Sequence, residues 1–116
     1  MEYYRGDIVY IQQRAGAKGC EQRGNRPAVI VSNDMNNKHS NVVEIVYLTT
    51  AHKNNLPTHA TVMCEKLSTA LCESVYSVAK ERIIEYLGSC TNREMNDIDK
   101  CLKISLGLVD SVRVRL

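Results

Sequence analysis

The chain has 116 residues and a mass of 13.1 kDa, the size of one domain with its own core and too small for two. Hydrophobic residues make up 44% and charged residues 24%, which is typical of a globular rather than a disordered protein. The net charge of +2 is too small to indicate nucleic-acid binding by itself.

The first half of the chain predicts three strands. Residues 7–12 are short and β-branched, residues 27–32 form a second apolar run, and residues 42–48 form a third. Residues 13–25 contain glycines and no periodicity, which predicts a long loop, and such loops are often functional. After the second strand, Asn33 or Asp34 is placed to cap one helical turn.

The second half predicts two further strands and short connections. Residues 59–64 form a strand, residues 65–68 are expected to turn the chain, and residues 74–78 alternate as a half-buried strand does. Residues 79–87 are expected to hold a short helix. Several short strands separated by loops indicate a small barrel or sandwich rather than βαβ units.

A helix closes the domain. Thr91 is placed to be its N-cap, and Glu94 three residues later completes a capping-box pattern. An apolar stripe recurs at helical spacing and predicts packing on the barrel; its members are Met95, Ile98, Leu102, Leu106 and Val109. Residues 110–116 alternate Val or Leu with Arg and predict a frayed end or an added edge strand.

The five cysteines contain no CxxC pair, which indicates neither a zinc site nor a disulfide framework. The chain opens without a secretory pattern, and no apolar run approaches membrane-spanning length. We therefore expect a cytoplasmic protein in a reducing compartment, with no metal and no membrane contact.

Arg26 and Thr49 are the best candidates for chemistry. Pro27 biases Arg26 toward an extended conformation at the start of the second strand, and Thr49 follows the third. If these strands are antiparallel neighbours, both side chains lie at one end of the sheet, with Glu21 on the loop beside them. The guanidinium fork of arginine suits phosphate oxygens. From the residues alone, a non-functional interpretation is equally open: Arg26 as an exposed loop charge and Thr49 as an ordinary turn residue at the end of a strand.

Other reactive residues give weaker signals. The sequence has no defensible Ser-His-Asp order, Walker loop, Rossmann glycine pattern or HExxH motif. Of the three histidines only His59 begins a strand, and a lone histidine is more often structural than catalytic. Cys20 has no assignable histidine partner and is interpreted as a small loop residue.

Five motifs follow one another along nearly the whole chain: RGDIVYI (5–11), CEQRGNRPAVIVSND (20–34), VYLTT (46–50), LPTH (56–59) and ISLGL (104–108). In this order they resemble the MazF/PemK family of bacterial toxin endoribonucleases. The resemblance implies a mostly β fold with some α structure, a small SH3-like barrel of the PemK/CcdB type with short helices and a C-terminal helix. It also implies one toxin domain over residues 1–116.

The implied activity is cofactor- and metal-independent, sequence-specific cleavage of single-stranded RNA. The ribose 2′-OH would attack the adjacent phosphate and leave 2′,3′-cyclic phosphate and 5′-OH ends. By the same resemblance the catalytic residues are Arg26, Thr49 and Glu21. The residues expected to contact RNA are Gln22, Arg23, Asn36, Thr50, His59 and Lys80. The implied partners are messenger RNA, a cognate acidic antitoxin and a second copy in a homodimer, with DNA binding by the toxin–antitoxin complex.

This sequence departs from the family pattern in places. Cys20 stands where many members have serine. Residues 73–82 only weakly resemble the family's Glu-Gln-Ile-Arg-Thr-Ile-Asp-Lys segment, because Ser74, Tyr76 and Ala79 replace its glutamine, arginine and aspartate. We interpret these changes as altered RNA preference or altered packing. Two alternatives stay open: a non-catalytic CcdB-like toxin that binds a protein target, and an inactive homologue.

Overall fold

The computed structural model describes residues 1–13, 24–51 and 54–109. In chain order its elements are β1 (Asp7–Ile11), β2 (Arg26–Ile30), α1 (Asp34–His39), β3 (Val42–Thr49), β4 (His59–Cys64), β5 (Lys66–Leu71), β6 (Tyr76–Ala79), a 3-10 turn (Lys80–Arg82), β7 (Ile83–Ser89) and α2 (Asn92–Ser105). The expected mostly β fold with short helices and a C-terminal helix is confirmed. Neither α1 nor α2 is long and apolar enough to cross a membrane.

The seven strands form one antiparallel sheet in the order β4-β5-β3-β2-β1-β7, and β6 pairs with the first half of β3. The long strand β3 is therefore central: its start pairs with β6, its middle with β2 and its end with β5. Within the described residues, β4 and β7 do not pair with each other, so the sheet is an open version of the expected barrel.

Strands β1, β2 and β3 are buried on both faces. On one face Ile8, Val29 and Val46 pack against Ile98 and Leu102 of α2. On the other face a second cluster contains Val9, Ile11, Ala28, Ile30, Val43, Ile45, Tyr47 and Val78. This double burial explains why these strands read as continuous apolar runs rather than as clean alternations.

Helix α2 begins at the predicted capping box. The Thr91 hydroxyl oxygen accepts a bond from the Glu94 backbone N–H at 3.1 Å, and the Thr91 N–H donates to the Glu94 carboxylate at 2.8 Å. The other carboxylate oxygen of Glu94 accepts a bond from the Met63 N–H at 2.7 Å, which satisfies a donor on β4. The apolar stripe was extended too far, because Leu106 and Val109 lie beyond the helix and are exposed.

One sequence expectation was wrong and a second was confirmed only in part. Residues 65–68 are not a turn, because Glu65 alone reverses the chain with a positive φ of 58° and Cys64 pairs with Lys66. The short helix expected within residues 79–87 is a 3-10 helix of only three residues, Lys80–Arg82, and β7 follows it because its β-branched and aromatic residues pair with β1. The helical turn capped by Asn33 is confirmed. Most of the loop 13–25 and all of residues 110–116 lie outside the described residues.

Candidate functional site

Arg26 and Thr49 lie at the same end of the sheet. The observed pairing of β2 with β3 ends at Ala28 and Tyr47, and Arg26 and Thr49 each lie two residues further along their strand toward that end. The alternation of side chains along a strand places both residues on the face that Ala28 and Tyr47 share. Both side chains therefore start from one small area of the sheet, at the end that antiparallel pairing predicts.

The Arg26 guanidinium lies over an aromatic ring. Its central carbon is 4.3 Å from the ring centroid of Tyr47, a residue that is only 8% exposed. Such a cation–π contact contributes about 1 kcal/mol and fixes the plane of the guanidinium. No carboxylate in the described part of the chain forms a salt bridge with Arg26. The Arg26 guanidinium is therefore held in place and is available to bind an anionic ligand.

The Thr49 hydroxyl accepts one hydrogen bond and keeps its own hydrogen for a second. Its oxygen accepts a hydrogen bond from the Ala51 N–H at 3.1 Å. Because a hydroxyl can accept and donate at the same time, its hydrogen stays available for an external acceptor. A phosphate oxygen near Arg26 is such an acceptor, so the two side chains can bind one phosphodiester together.

A cleft of about 500 Å³ opens at this end of the sheet. One wall contains Arg26, Thr49 and Thr50, and the β4–β5 hairpin contributes Glu65 and Lys66. The remaining lining residues are Tyr10, Asn25, Pro27, Leu48, Cys64, Ser68, Leu71 and Leu87. The structure thus brings three of the predicted site residues into one concave surface of mixed charge.

His59 does not line that cleft. Its Nδ1 lies 2.9 Å from the Asn54 carbonyl oxygen, and its Nε2 lies 3.1 Å from the Glu73 carboxylate. Desolvation opposes ionisation of Glu73, but its own backbone N–H and the contact with His59 dominate and lower the pKa of this carboxyl. In the described chain, His59 therefore holds two segments together.

Asn36 and Lys80 lie near the other end of β3. Asn36 lies in α1, and its side-chain amide donates to the Val42 carbonyl oxygen at 3.4 Å. The Lys80 N–H donates to the Asn41 carbonyl oxygen at 2.9 Å, and its side chain lines a separate cavity of about 380 Å³. β3 has 8 residues, so it spans roughly 25 Å. Within one chain these two residues are not brought to the cleft.

Glu21, Gln22, Arg23 and Cys20 lie outside the described residues. Their segment connects β1 to β2, and Ile11 at the end of β1 pairs with Arg26. The end of β1 and the start of β2 therefore lie at the same end of the sheet as Arg26 and Thr49.

Sequence reasoning missed the contribution of Tyr47 to this site. The sequence shows that Tyr47 lies two residues before Thr49. Its contact with Arg26, however, depends on the pairing of β2 with β3, which places the Tyr47 ring beneath the guanidinium. Lys66 was missed for another reason, since the hairpin that carries it was predicted as a turn.

The four cysteines in the described part of the chain are poor candidates for nucleophilic chemistry. Burial raises the pKa of Cys72 to about 12, and burial likewise raises the pKa of Cys90 to about 12. Desolvation also raises the pKa values of Cys64 and Cys101. Thiols in such surroundings stay protonated and unreactive near neutral pH. The described residues contain no group of three or more His, Cys, Asp or Glu side chains arranged to hold a metal ion.

Comparison with known proteins connects this geometry to a family. The model of the PemK-like, MazF-like toxin of type II toxin–antitoxin systems matches residues 4–106. An endoribonuclease MazF from Staphylococcus epidermidis is 36% identical over 110 residues, which is 90% of this chain and 91% of that protein.

Solved structures show the same fold. An endoribonuclease in complex with its cognate antitoxin, from a mycobacterial species, has a TM-score of 0.80 and 27% identity, covering 94% of this chain and 99% of that chain. MazF from Deinococcus radiodurans has a TM-score of 0.76 and 21% identity, covering 92% of this chain and 98% of that chain. The second likeness supports the fold alone.

Proposed function

We propose an RNA-cleaving activity for this chain, which belongs to the PemK-like, MazF-like toxin family of type II toxin–antitoxin systems. The family resemblance of the sequence motifs is thereby confirmed. The chain is an endoribonuclease of the MazF type that cuts single-stranded RNA with sequence preference. The observation that supports the active-site assignment most directly is that Arg26 and Thr49 line one cleft at the shared end of two neighbouring strands.

The proposed reaction is a transesterification within the RNA strand. The ribose 2′ oxygen loses its proton and attacks the adjacent phosphorus, the bond from phosphorus to the 5′ oxygen breaks, and that oxygen takes up a proton. The products are a 2′,3′-cyclic phosphate and a 5′-OH end. Dependence on the 2′-OH explains why RNA rather than DNA is cut.

Arg26 and Thr49 have complementary roles in this proposal. The Arg26 guanidinium stabilises the negative charge that develops on the phosphoryl oxygens and on the leaving oxygen. The Thr49 hydroxyl donates a hydrogen bond to a non-bridging oxygen, with its own oxygen already fixed by Ala51. Glu21 is proposed as the general base, because its segment joins the sheet beside Arg26. None of these roles requires a metal ion or an organic cofactor.

RNA contacts extend beyond the reacting phosphate. Thr50 lines the cleft and is proposed to bind the strand there. We propose further RNA contacts by Gln22, Arg23, Asn36, His59 and Lys80. Since Asn36 and Lys80 lie near the far end of β3, their contacts require a long stretch of RNA or a second protomer.

The partners follow from the family. We propose that a cognate acidic antitoxin neutralises this chain, since a mycobacterial relative is described in complex with its cognate antitoxin. A homodimer and a single toxin domain over residues 1–116 are part of the same proposal. The cytoplasm is its proposed location because messenger RNA is translated there. The family match does not favour a non-catalytic CcdB-like binder or an inactive homologue.

Purified protein incubated with a mixed RNA pool in excess EDTA tests this function. Wild type is expected to cleave the RNA, and Arg26→Ala to lose at least about a hundredfold in rate. Arg93→Ala is the matched control, since Arg93 is exposed on α2. Intact RNA with wild type, or equal losses in both variants, contradicts the proposal. Growth arrest that survives both Arg26→Ala and Thr49→Ala favours a binder.

A further inference from the structure

An exposed tyrosine contacts the aromatic ring that lies beneath Arg26. Tyr76 in β6 is directly opposite Ile45 of β3, and Ile45 is on the same face of the sheet as Tyr47. The ring centroids of Tyr47 and Tyr76 are 5.2 Å apart with an interplanar angle of 58°. Tyr47 is 8% exposed and Tyr76 is 48% exposed. The buried ring therefore supports a second ring that faces solvent.

This pair of rings continues directly from Arg26. The guanidinium lies 4.3 Å from the centroid of Tyr47, so Arg26 and Tyr76 both contact the same buried ring. Arg26, Tyr47 and Tyr76 thus form one contiguous stack, which we call the aromatic stack. A phosphate held by Arg26 leaves the neighbouring nucleotide within reach of the exposed ring.

The charge around the aromatic stack suits a nucleic acid. The residues of β3 on this face are Val43, Ile45, Tyr47 and Thr49, and those of β6 are Tyr76 and Val78. None of them is acidic. The nearby carboxylate of Glu44 belongs to the other face, where it accepts a bond from the Ser77 hydroxyl at 2.7 Å. An RNA strand over Tyr76 therefore meets no repulsive carboxylate from these two strands.

We propose that Tyr76 stacks on the nucleobase next to the phosphate bound by Arg26 and Thr49, and that it favours a purine at that position. The proposal rests on the proposed RNA-cleaving function and deepens it. Proteins that bind single-stranded RNA commonly hold unstacked bases on aromatic rings. A purine presents a larger face than a pyrimidine and gains more from such a contact.

Three variants separate this role from a structural one. Tyr76→Phe keeps the ring, and Tyr76→Leu keeps apolar cover over Tyr47 but removes the stacking face. Tyr4→Leu is the control, because Tyr4 is 52% exposed and bonds to Glu2 away from the aromatic stack. The first readout is cleavage-end mapping on a randomised RNA pool. The second is quenching of 2-aminopurine in an oligonucleotide with a 2′-deoxy residue at the cut site.

We expect wild type and Tyr76→Phe to share one purine preference and to quench the probe. Tyr76→Leu is expected to lose both and to raise KM about tenfold with a smaller change in kcat. Unchanged base preference and quenching in Tyr76→Leu overturn the proposal, as does an equal change in Tyr4→Leu. A change of oligomeric mass in Tyr76→Leu without a change in base preference also overturns it and assigns Tyr76 to a subunit contact.

Failure of the proposed function gives a different result. If wild type cleaves no RNA, the nuclease assignment falls, and the quenching experiment alone decides on Tyr76. Quenching by wild type and Tyr76→Phe but not by Tyr76→Leu then supports a base-binding tyrosine on a non-cleaving protein. Absence of quenching by all three proteins overturns the stacking proposal as well.

Discussion

Replacing Thr49 by Val, alone and together with Arg26→Lys, measures whether the two side chains act on the same phosphate. Val keeps the β-branched shape that suits the end of β3 and removes only the hydroxyl. The Ala51 N–H that loses its acceptor is exposed to water, so the stability cost is expected to stay below about 1 kcal/mol. Any large effect on rate therefore reports on the reaction and not on folding.

The magnitudes follow from the two contacts. A hydrogen bond to a charged group contributes about 1.5–3 kcal/mol, so Thr49→Val should lower kcat by roughly 10- to 100-fold. Arg26→Lys keeps the charge but loses the two-point geometry and the contact with Tyr47, and removal of one preorganised donor costs roughly a hundredfold or more. Because both residues line one cleft at the same end of the sheet, the double variant should lose less than the two single effects combined, by about 1 kcal/mol.

Single-turnover cleavage of one RNA oligonucleotide by the four proteins provides the assay. Thr61→Val is the control, since Thr61 is an exposed threonine on β4 and should leave the rate unchanged. Effects that add within about 0.5 kcal/mol refute the shared-phosphate reasoning. An equal loss in Thr61→Val shows that the rate responds to the substitution type and not to the site.

Other features give further predictions. Cys72 and Cys90, with pKa values raised to about 12 by burial, should react with Ellman's reagent at pH 8 far more slowly in the native protein than in denaturant, and equal rates contradict their burial. The pKa of Glu73 is lowered in the folded state, so its stabilising contribution is present above the unfolded value and lost as pH falls through the folded value. The stability difference between wild type and Glu73→Gln in urea should therefore shrink toward acid pH, and a constant difference contradicts it. Thr91→Ala removes the capping box and should cost about 1 kcal/mol in urea unfolding, whereas no change argues against the cap.

Local patterns predicted the elements that depend on near neighbours. The run of residues 59–64 predicted β4 with its observed bounds, and Thr91 with Glu94 identified the start of α2. The placement of Arg26 and Thr49 at one end of the sheet needed only the assumption that two strands consecutive in sequence pair antiparallel. These parts of the site could be predicted because few residues separate the groups that determine them.

The remaining features depend on contacts between distant segments. β7 was missed because its pairing partner is β1, at the other end of the chain. The contact of Tyr47 with Tyr76 requires β6 to pair with β3 across β4 and β5, which no local pattern reveals. Asn36 and Lys80 were predicted from the family resemblance. A resemblance between sequences does not show how far these residues lie from Arg26 within one protomer.

The decisive measurement is cleavage of an RNA oligonucleotide with a single 2′-deoxy residue on the 5′ side of the mapped cut. If the 2′-OH is the nucleophile, this one change abolishes cleavage at that bond in excess EDTA, and the unmodified RNA yields 2′,3′-cyclic phosphate and 5′-OH ends by mass spectrometry. Cleavage of the deoxy oligonucleotide at the unmodified rate, or a 5′-phosphate product, would contradict attack by the 2′-OH on a phosphate held by Arg26 and Thr49.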